Sequence, residues 1–282
     1  MVKLAGLVTL YHPTDKDIQN ISSYLDDVDR LYVVDNTENK KTEPRLPDSD
    51  KIVYLSRPSN IGVAKALNLG AEKALKDGFS WLLTNDQDTT FPKGVLNKLK
   101  KRIDKEDTKK IAIVTPWHKT KLRDPRPEKD DDPHDVMTSG NLVNLKIWKK
   151  VGGFKEWFFI DGIDIEYCMN IHKNGYRILR VNSLAIDHNL GDLFYKTFRH
   201  KLYLCTNHPP IRRYYIMRNY YYISKLYGDY EPEAAYCMNL VAAQKHNMKG
   251  VLLFENKKIS KILMYLRGRR DFYKGVRGKY HG

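Results

Sequence analysis

The first 115 residues alternate between short apolar runs and segments with helical periodicity. Near-continuous apolar runs, which predict buried β-strands, occupy residues 4–11, 31–34, 51–55, 79–84 and 111–115. Apolar residues recur every three or four positions in residues 62–76 and 93–105, which predicts two amphipathic helices. Strands of this kind alternating with helices are typical of a mostly parallel sheet. The predicted fold class is therefore α/β, with helices flanking a mostly parallel central sheet.

The second half of the chain continues this pattern less regularly. Residues 124–135 are polar and rich in Pro, which indicates either a lid beside a site or an ordinary surface loop. The segments that follow predict, in order, an extended stretch at 136–144, a short helix at 145–151, a helix at 161–174 and a strand at 177–187. After Leu193 the pattern changes to helices rich in Tyr and Arg.

Positive charge is concentrated in the last third of the chain. The 282 residues carry a net charge of +15, and residues 193–282 contain 18 Lys and Arg against 5 Asp and Glu. This asymmetry predicts an anionic partner, either nucleic acid or an acidic membrane face. It also suggests a domain at residues 1–200 followed by a basic helical extension at 201–282.

Several features bear on the cellular compartment. Cys168, Cys205 and Cys237 are far apart and fit no metal spacing, as is typical of reduced thiols in a cytosolic protein. The opening MVKLAGLVTLYHP is interrupted too early for a signal peptide, and no run of 18 apolar residues occurs. We therefore expect a cytoplasmic protein, which could contact the inner face of the cell membrane peripherally.

The extension contains two segments that could bind an anionic partner. Residues 257–275 predict a helix with Ile259, Ile262, Leu263 and Leu266 on one face among Lys and Arg, which suits an anionic membrane. The alternative is a helix packed on the rest of the protein with a solvated basic rim. The segment RRYYIMRNYYYI, residues 212–223, could stack nucleobases. An RNA-binding module without catalysis is disfavoured, because no RRM, KH or OB signature occurs.

Acidic residues follow the predicted strands at their carboxyl ends, where open α/β sheets bind ligands. Asp35 follows the second strand, and Asp86 and Asp88 follow the fourth within WLLTNDQDTTFP. In an extended segment these last two carboxylates would point to the same side. Carboxylates suit Mg²⁺ or Mn²⁺, which takes further ligands from water and phosphates. The alternative is a solvated Asn-Asp turn after the strand.

A second acidic cluster is formed by Asp161, Asp164 and Glu166. Asp161 and Asp164 could cap the predicted helix, an interpretation that we favour slightly for Asp161. Alternatively, the bulky residues 157–159 could desolvate a carboxylate and raise its pKa toward that of a general base. His188, at the end of a predicted strand, could be a structural histidine or a metal ligand.

Together these segments resemble the family 2 inverting glycosyltransferases, most of all the bacterial rhamnosyltransferase subgroup. The resemblance is carried by residues 60–92 (NIGVAKALNLGAEKALKDGFSWLLTNDQDTTFP), 139–168 (SGNLVNLKIWKKVGGFKEWFFIDGIDIEYC) and 188–191 (HNLG). Order and spacing match over residues 4–220. The resemblance implies a GT-A fold, a Rossmann-like α/β domain that binds a nucleotide-sugar.

The resemblance also implies roles in metal binding and catalysis. It makes Asp86-Gln87-Asp88 the family's D-x-D motif, with Asp88 the metal ligand and Asp86 nearer the ribose or a metal-bound water. His188 aligns with the histidine of the metal-diphosphate site, and Asp164 with the catalytic aspartate. Asp161 and Glu166 could orient the acceptor or cap the helix, and we favour capping slightly. The implied cofactor is Mn²⁺ or Mg²⁺.

Other residues resemble those that hold the nucleotide. Asp35 resembles the acid that binds the nucleoside base, Tyr11 lines the same pocket, and Asn60 and Gly62 resemble an N-x-G that flanks the nucleotide. One departure weakens the donor assignment, because relatives often carry Arg where this chain has Asn170.

The implied reaction is inverting transfer of a sugar, with rhamnose favoured. The donor would be a dTDP- or UDP-sugar, and the acceptor a cell-surface polysaccharide or lipid-linked glycan. Arg213 and Arg218 are expected near a diphosphate. The alternative is another family 2 hexosyl- or galactofuranosyltransferase that uses a UDP-sugar. No nucleic-acid partner is expected.

Overall fold

The computed structural model describes residues 2–40, 42–120, 126–187 and 193–282. Its strands are β1 (Leu4–Leu10), β2 (Arg30–Asp35), β3 (Ile52–Ser56), β4 (Trp81–Asp86), β5 (Ile111–Lys119), β6 (Asn141–Asn144), β7 (Arg177–Asp187), β8 (Phe194–Phe198) and β9 (Lys201–Cys205). Its helices are α1 (Asp15–Ile21), α2 (Val63–Lys76), α3 (Val95–Ile103), α4 (Leu145–Val151), α5 (Ile163–Lys173), α6 (Pro210–Tyr227), α7 (Glu231–Phe254) and α8 (Lys258–Tyr273).

The central sheet of the described residues has seven strands in the order β3-β2-β1-β4-β6-β5-β7. All neighbours are parallel except β6, which runs antiparallel to both β4 and β5. Consecutive residues of β1 face opposite sides: Leu7 joins a core cluster with α2, whereas Val8 joins a second cluster with α1. The predicted α/β class, with helices covering both faces of a mostly parallel sheet, is confirmed.

The extension belongs to one of these two cores. Tyr222 and Ile223 of α6 and Cys237 of α7 are buried in the same cluster as Phe158 and Ile163. The three cysteines are unpaired by disulfides and buried. No helix in the described part of the chain combines the length and apolar character needed to cross a membrane.

Three expectations about local structure differ from what is observed. Residues 194–205 form the hairpin β8–β9 and not a helix. The extended stretch predicted at 136–144 is a strand only from Asn141, and β5 continues to Lys119. The helix expected from Asp161 begins at Ile163, because Gly162, with φ of +75°, is its N-cap.

Candidate active site

Asp35 and Asp86 flank the carboxyl end of β1. Leu10 of β1 pairs with Asp35, and Thr9 pairs with Asp86 in the adjacent strand β4. In open α/β sheets, ligands bind in the crevice at such strand ends. The structure therefore brings together two of the acids that the sequence singled out.

Asp35 is wholly buried, and its carboxylate already accepts three hydrogen bonds. The donors are Thr37 N at 2.9 Å, Lys40 Nζ at 2.8 Å and the hydroxyl of Tyr54 at 2.6 Å. Burial alone would raise the pKa of Asp35, but these hydrogen bonds outweigh it and hold the pKa below its usual value. Lys40 therefore neutralises the charge of the buried Asp35 carboxylate.

A cleft of about 710 Å³ opens beside Asp35 and Lys40, between the segments 12–15 and 37–45. Tyr11, which is 44% exposed, follows β1 and links its end to the segments that follow β2 and β4. Its backbone N–H donates to Gln87 Oε1 at 2.7 Å, and its hydroxyl donates to Glu38 Oε1 at 3.1 Å. The cleft is large enough for a nucleoside, because small-molecule sites measure about 300–1,000 Å³.

Asn60 and Gly62 form the turn that begins α2. Asn60 Oδ1 accepts from Gly62 N at 2.9 Å, and Asn36 Nδ2 donates to Gly62 O at 3.2 Å. Gly62 has φ of +85°, and a Cβ there would lie 2.6 Å from the ring of Phe159. The next amide, Val63 N, donates to Phe159 O at 2.7 Å. Glycine is required here because the backbone conformation and the close approach both exclude a side chain.

The segment after β4 is a turn. Strand β4 ends at Asp86, and Asp86 O accepts from Thr89 N at 3.2 Å. The premise that Asp86 and Asp88 alternate along an extended segment is therefore wrong. Asp86 N donates to Ser139 Oγ at 3.1 Å, Asp86 is partly exposed and Asp88 is exposed. The turn presents both residues at the edge of the crevice.

The oxygen ligands that this turn offers suit a hard divalent cation. In the described ranges, no group of three or more His, Cys, Asp and Glu is arranged to hold a metal. Asp86 and Asp88 offer oxygen donors, and Mg²⁺ or Mn²⁺ typically completes such a pair with waters and phosphate oxygens. His188, the third expected ligand, lies outside the described residues.

Asp161 does not cap α5, which corrects our preferred interpretation. It has φ of +64°, and its side chain, only 7% exposed, forms an ion pair with Arg212 of α6. Arg212 Nε donates to the two oxygens at 2.8 and 2.6 Å. Burial raises the pKa of Asp161, and the charge of Arg212 opposes that rise.

Asp164 lies in the first turn of α5, close to the end of β4. It lines a small cavity of about 10 Å³ together with Thr84, which lies in β4 two residues before Asp86. Desolvation, then the carboxylates of Asp135 and Asp161, raise the pKa of Asp164 to about 7. Its Oδ1 accepts a hydrogen bond from the neighbouring Ile165 N at 3.0 Å. Asp164 is partly exposed, and the small cavity that it lines reaches the wall formed by Thr84 of β4.

Glu166 and Asn170, on the next turns of α5, have structural roles. Glu166 is wholly buried, accepts from Lys155 Nζ at 2.7 Å and is hydrogen-bonded to the hydroxyl of Tyr227. It therefore neither caps the helix nor reaches an acceptor. Asn170, which stands where we expected an Arg, donates from Nδ2 to Val151 O at 2.9 Å. This hydrogen bond joins α5 to α4.

The arginines expected near a diphosphate are buried elsewhere. Arg213 forms an ion pair with Glu255 at 2.8 Å, and Arg218, wholly buried, donates to Trp157 O, Phe158 O and Gly278 O. The reason is that buried protein acceptors already bind both guanidinium groups. Arg212 is the arginine that faces the acids. Asn219 lies seven residues, or about two helical turns, after Arg212 and also contacts the 157–161 loop. This spacing in the sequence could have indicated that both residues lie on the same face of α6.

Asp135 is a second residue that sequence reasoning missed. It lies in the predicted loop and contributes to the raised pKa of Asp164. Its neighbours fix the segment: His134 is paired with Glu233 of α7 at 2.5 Å, and Val136 O approaches Cys168 Sγ of α5 at 4.0 Å. The end of this loop is therefore held against the acidic cluster.

Comparisons with known proteins identify the family. A family model described as glycosyl transferase family 2 matches residues 18–167. The dTDP-rhamnosyl transferase RfbF of Shigella flexneri is 25% identical over 236 residues, which cover 76% of this chain and 77% of that protein.

Solved structures share the fold across nearly the whole chain. S. aureus TarS 1-349 in complex with UDP-GlcNAc matches with a TM-score of 0.59 and 14% identity, covering 98% of this chain and 82% of that one. Mannosyltransferase PcManGT from Pyrobaculum calidifontis, in complex with GDP-Man and Mn²⁺, matches with a TM-score of 0.58 and 12% identity, covering 97% and 81%. The predicted GT-A fold is thereby confirmed.

Proposed function

Because the chain belongs to glycosyltransferase family 2, we propose that it transfers a sugar, rhamnose being favoured, from a dTDP-linked donor to a glycan hydroxyl group. The acceptor would be a growing cell-surface polysaccharide or a lipid-linked glycan. The observation that supports the proposal is that Asp164, whose pKa is raised to about 7, lines a cavity together with Thr84 of β4. Thr84 lies two residues before Asp86, so we propose that Asp164 and the carboxylates that follow β4 serve one reaction.

Rhamnose is favoured because the matched Shigella flexneri protein is a dTDP-rhamnosyl transferase and aligns over three quarters of both chains. The competing donor class is a UDP-sugar, since TarS, which shares the fold, is seen in complex with UDP-GlcNAc. Transfer of another hexose or of galactofuranose from UDP would follow the same chemistry.

Lys40 is proposed to read the nucleobase, with Asp35 acting through it. The side chain of Lys40 is 17% exposed, whereas the side chain of its partner Asp35 is 1% exposed. A Lys donor beside the cleft would complement the O4 carbonyl of thymine or uracil, and it cannot complement the amino group that cytosine carries at that position. Tyr11, Asn60 and Gly62 would form the walls around the base and ribose, with Asp86 beneath the ribose.

The metal is assigned to Asp86 and Asp88, with His188 as a further ligand. A bound Mn²⁺ or Mg²⁺ would supply positive charge against the leaving nucleoside diphosphate. Asp88 is the direct ligand in this proposal because it is the more exposed of the two carboxylates.

Asp164 is proposed as the general base. The acceptor oxygen forms a bond to the anomeric carbon while the bond from that carbon to the diphosphate oxygen breaks, and Asp164 takes the acceptor's proton. Attack from the face opposite the diphosphate inverts the anomeric centre. Arg212 holds Asp161 in place and limits the repulsion between Asp161 and Asp164.

A lipid-linked acceptor would make peripheral membrane contact useful. We assign residues 1–200 to the catalytic unit and 201–282 to a basic helical extension that would provide that contact. Anionic lipid attracts juxtaposed Lys and Arg, and this extension carries most of the chain's net positive charge.

Thermal unfolding with different donors tests the proposal. We expect dTDP-rhamnose with Mn²⁺ to raise the Tm more than UDP-galactose, UDP-glucose, UDP-N-acetylglucosamine or GDP-mannose, and a chelator to abolish the difference. A larger response to a UDP-sugar would support the competing donor class. Strong, salt-sensitive RNA binding without any nucleotide response would contradict both donor assignments.

A further inference from the structure

Helix α8 turns its apolar face outward. Ile259 is 75% exposed, Leu263 51% and Leu266 50%, although these three residues form one continuous stripe along the helix. Lys261 and Asp271, on the other side of the helix, are 1% and 6% exposed. A helix that simply packed on the domain would bury its leucines, so this orientation needs a separate explanation.

The orientation is fixed by contacts on the buried side. Lys261 Nζ donates to Glu255 Oε2 and Asn207 Oδ1, at 2.8 and 2.9 Å. Gly268 lies so close to α6 that a Cβ would be 2.4 Å from Tyr214 O. Rotating α8 to bury its leucines would break a buried ion pair, which is strongly unfavourable. The apolar stripe is therefore a stable feature of the surface.

More apolar side chains are exposed where α7 meets α8. Leu252 and Leu253, at the end of α7, are 52% and 40% exposed, and Phe198 of the β8–β9 hairpin is 43% exposed. The ring of Phe198 lies 6.5 Å from that of Phe254, and Lys258 Nζ donates to Leu253 O at 3.2 Å. These contacts bring the hairpin turn, the last turn of α7 and the first turns of α8 together, and we call this region the basic end.

The exposed charges of the basic end are all positive. Its exposed basic residues are Arg199, Lys201, Lys257 and Lys258. Of the five acids in residues 193–282, Glu233, Glu255 and Asp271 are buried. The remaining two, Asp229 and Glu231, lie at the turn between α6 and α7, at the opposite end of both helices. No exposed carboxylate in this described stretch offsets the charge of the basic end.

We infer that the basic end docks on an anionic phospholipid surface, with Ile259, Leu263 and Leu266 inserted among the acyl chains at the headgroup boundary. Lys and Arg flanking exposed apolar residues match such a surface in both charge and polarity. A second copy of the chain is a poor occupant, because a two-fold contact would bring like charges together.

Docking at this end would place the membrane beside the acidic cluster. Lys261 of α8 bonds Asn207, three residues before α6 begins, so both helices start at the basic end. Arg212, in the first turn of α6, is the partner of Asp161. If the proposed function holds, a lipid-linked acceptor would reach Asp164 from the membrane without crossing the molecule.

Vesicle flotation tests the inference with the full chain. We expect binding to vesicles of phosphatidylglycerol mixed with phosphatidylcholine, weakening with salt, and no binding to phosphatidylcholine alone. Lys257→Glu/Lys258→Glu should reduce the partition coefficient by roughly tenfold or more. Lys109→Glu/Lys110→Glu, which changes net charge equally at exposed positions before β5, should leave binding unchanged.

The apolar contribution is tested by Leu263→Glu/Leu266→Glu, which should abolish vesicle binding with little change in Tm because both side chains are exposed. Equal losses in the Lys109/Lys110 control, or wild-type protein that ignores phosphatidylglycerol, would overturn the inference. A third result would also overturn it: sedimentation shows that the wild-type protein is a dimer, and Leu263→Glu/Leu266→Glu dissociates the dimer but still binds vesicles. The rise in Tm that the nucleotide-sugar donor causes is measured on the same variants and reports on the proposed function alone. It therefore distinguishes a failure of membrane docking from a failure of the proposed function.

Discussion

Arg212 Nε donates hydrogen bonds to both carboxylate oxygens of Asp161, three residues before Asp164 in the chain. Removing the guanidinium in Arg212→Gln should leave Asp161 unpaired and raise the pKa of Asp164 further. Because Arg212 is about one-third exposed, we expect a loss of only about 1–2 kcal/mol in unfolding free energy. Arg212→Lys should be intermediate, and adding Asp161→Asn to Arg212→Gln should recover stability. A single Arg212→Gln variant with unchanged Tm and pH profile would contradict this role.

The rate of transfer should rise with pH through about 7 and then level off, because Asp164 must be deprotonated to accept a proton. Asp135→Asn removes a nearby negative charge that raises the pKa of Asp164, so the rising limb should move to lower pH. Asp135→Glu keeps the charge and serves as the control. Asp164→Asn should retain donor binding and lose transfer by roughly 100-fold or more. Transfer retained in Asp164→Asn would identify another base.

Asp88→Ala should remove the metal-dependent part of donor binding, because the exposed carboxylate is the proposed direct ligand. Isothermal titration with dTDP, in Mn²⁺ and in chelator, measures the difference. Asp26→Ala removes an exposed carboxylate elsewhere and should bind as wild type does. Metal dependence that survives Asp88→Ala would exclude the assignment.

Lys40→Met should weaken binding of dTDP by roughly tenfold or more, since a charged hydrogen bond is worth about 1.5–3 kcal/mol. It should also lessen discrimination between dTDP and CDP, which is what distinguishes base reading from a general loss of affinity. Lys105→Met, at an exposed position after α3, is the matched control. Equal weakening of both nucleotides by Lys40→Met would mean that Lys40 supports the cleft without reading the base.

Asn219→Ala should disturb the loop before α5. The amide of Asn219 donates to Phe158 O, Ile160 O and Asp161 O at 2.8–3.0 Å. We expect a loss of about 1–3 kcal/mol in unfolding free energy and a lower kcat with donor affinity retained. Asn239→Ala, exposed on α7, should change neither quantity. Differential scanning calorimetry and steady-state kinetics on the two variants check the prediction.

The sequence predicted most of the sheet because β1, β2, β4 and β5 are largely buried and therefore read as apolar runs. Asp35 and Asp86 could be predicted at the same edge of the sheet, because the carboxyl ends of parallel strands lie at one edge. The hairpin β8–β9 was missed because much of it is exposed: Tyr195, Phe198 and Leu202 do not alternate with a buried set that a pattern could register.

The sequence predicted that Asp161 and Asp164 belong to an acidic cluster, but it did not predict which side chains bind them. Asp161 precedes a helix, which favours capping, but Gly162 takes the cap position and a residue 51 positions away takes the carboxylate. Likewise, the apolar stripe of α8 was evident in the sequence, whereas the direction in which it faces depends on the contact of Lys261 with Glu255 and of Gly268 with α6. Such long-range choices depend on tertiary contacts that local periodicity does not contain.

Arg218 and Asn219 hold the 157–161 loop through its carbonyl oxygens and not through its side chains. Phe159 and Asp161, both non-glycine residues with positive φ, are stabilised in an unfavourable backbone conformation by this grip. We therefore expect exchange of the Ile160 side chain to leave the course of the loop unchanged, whereas Phe159 is constrained because its ring stacks on Tyr215. Sequence divergence can thus accumulate at Ile160 while the backbone around it is conserved in shape.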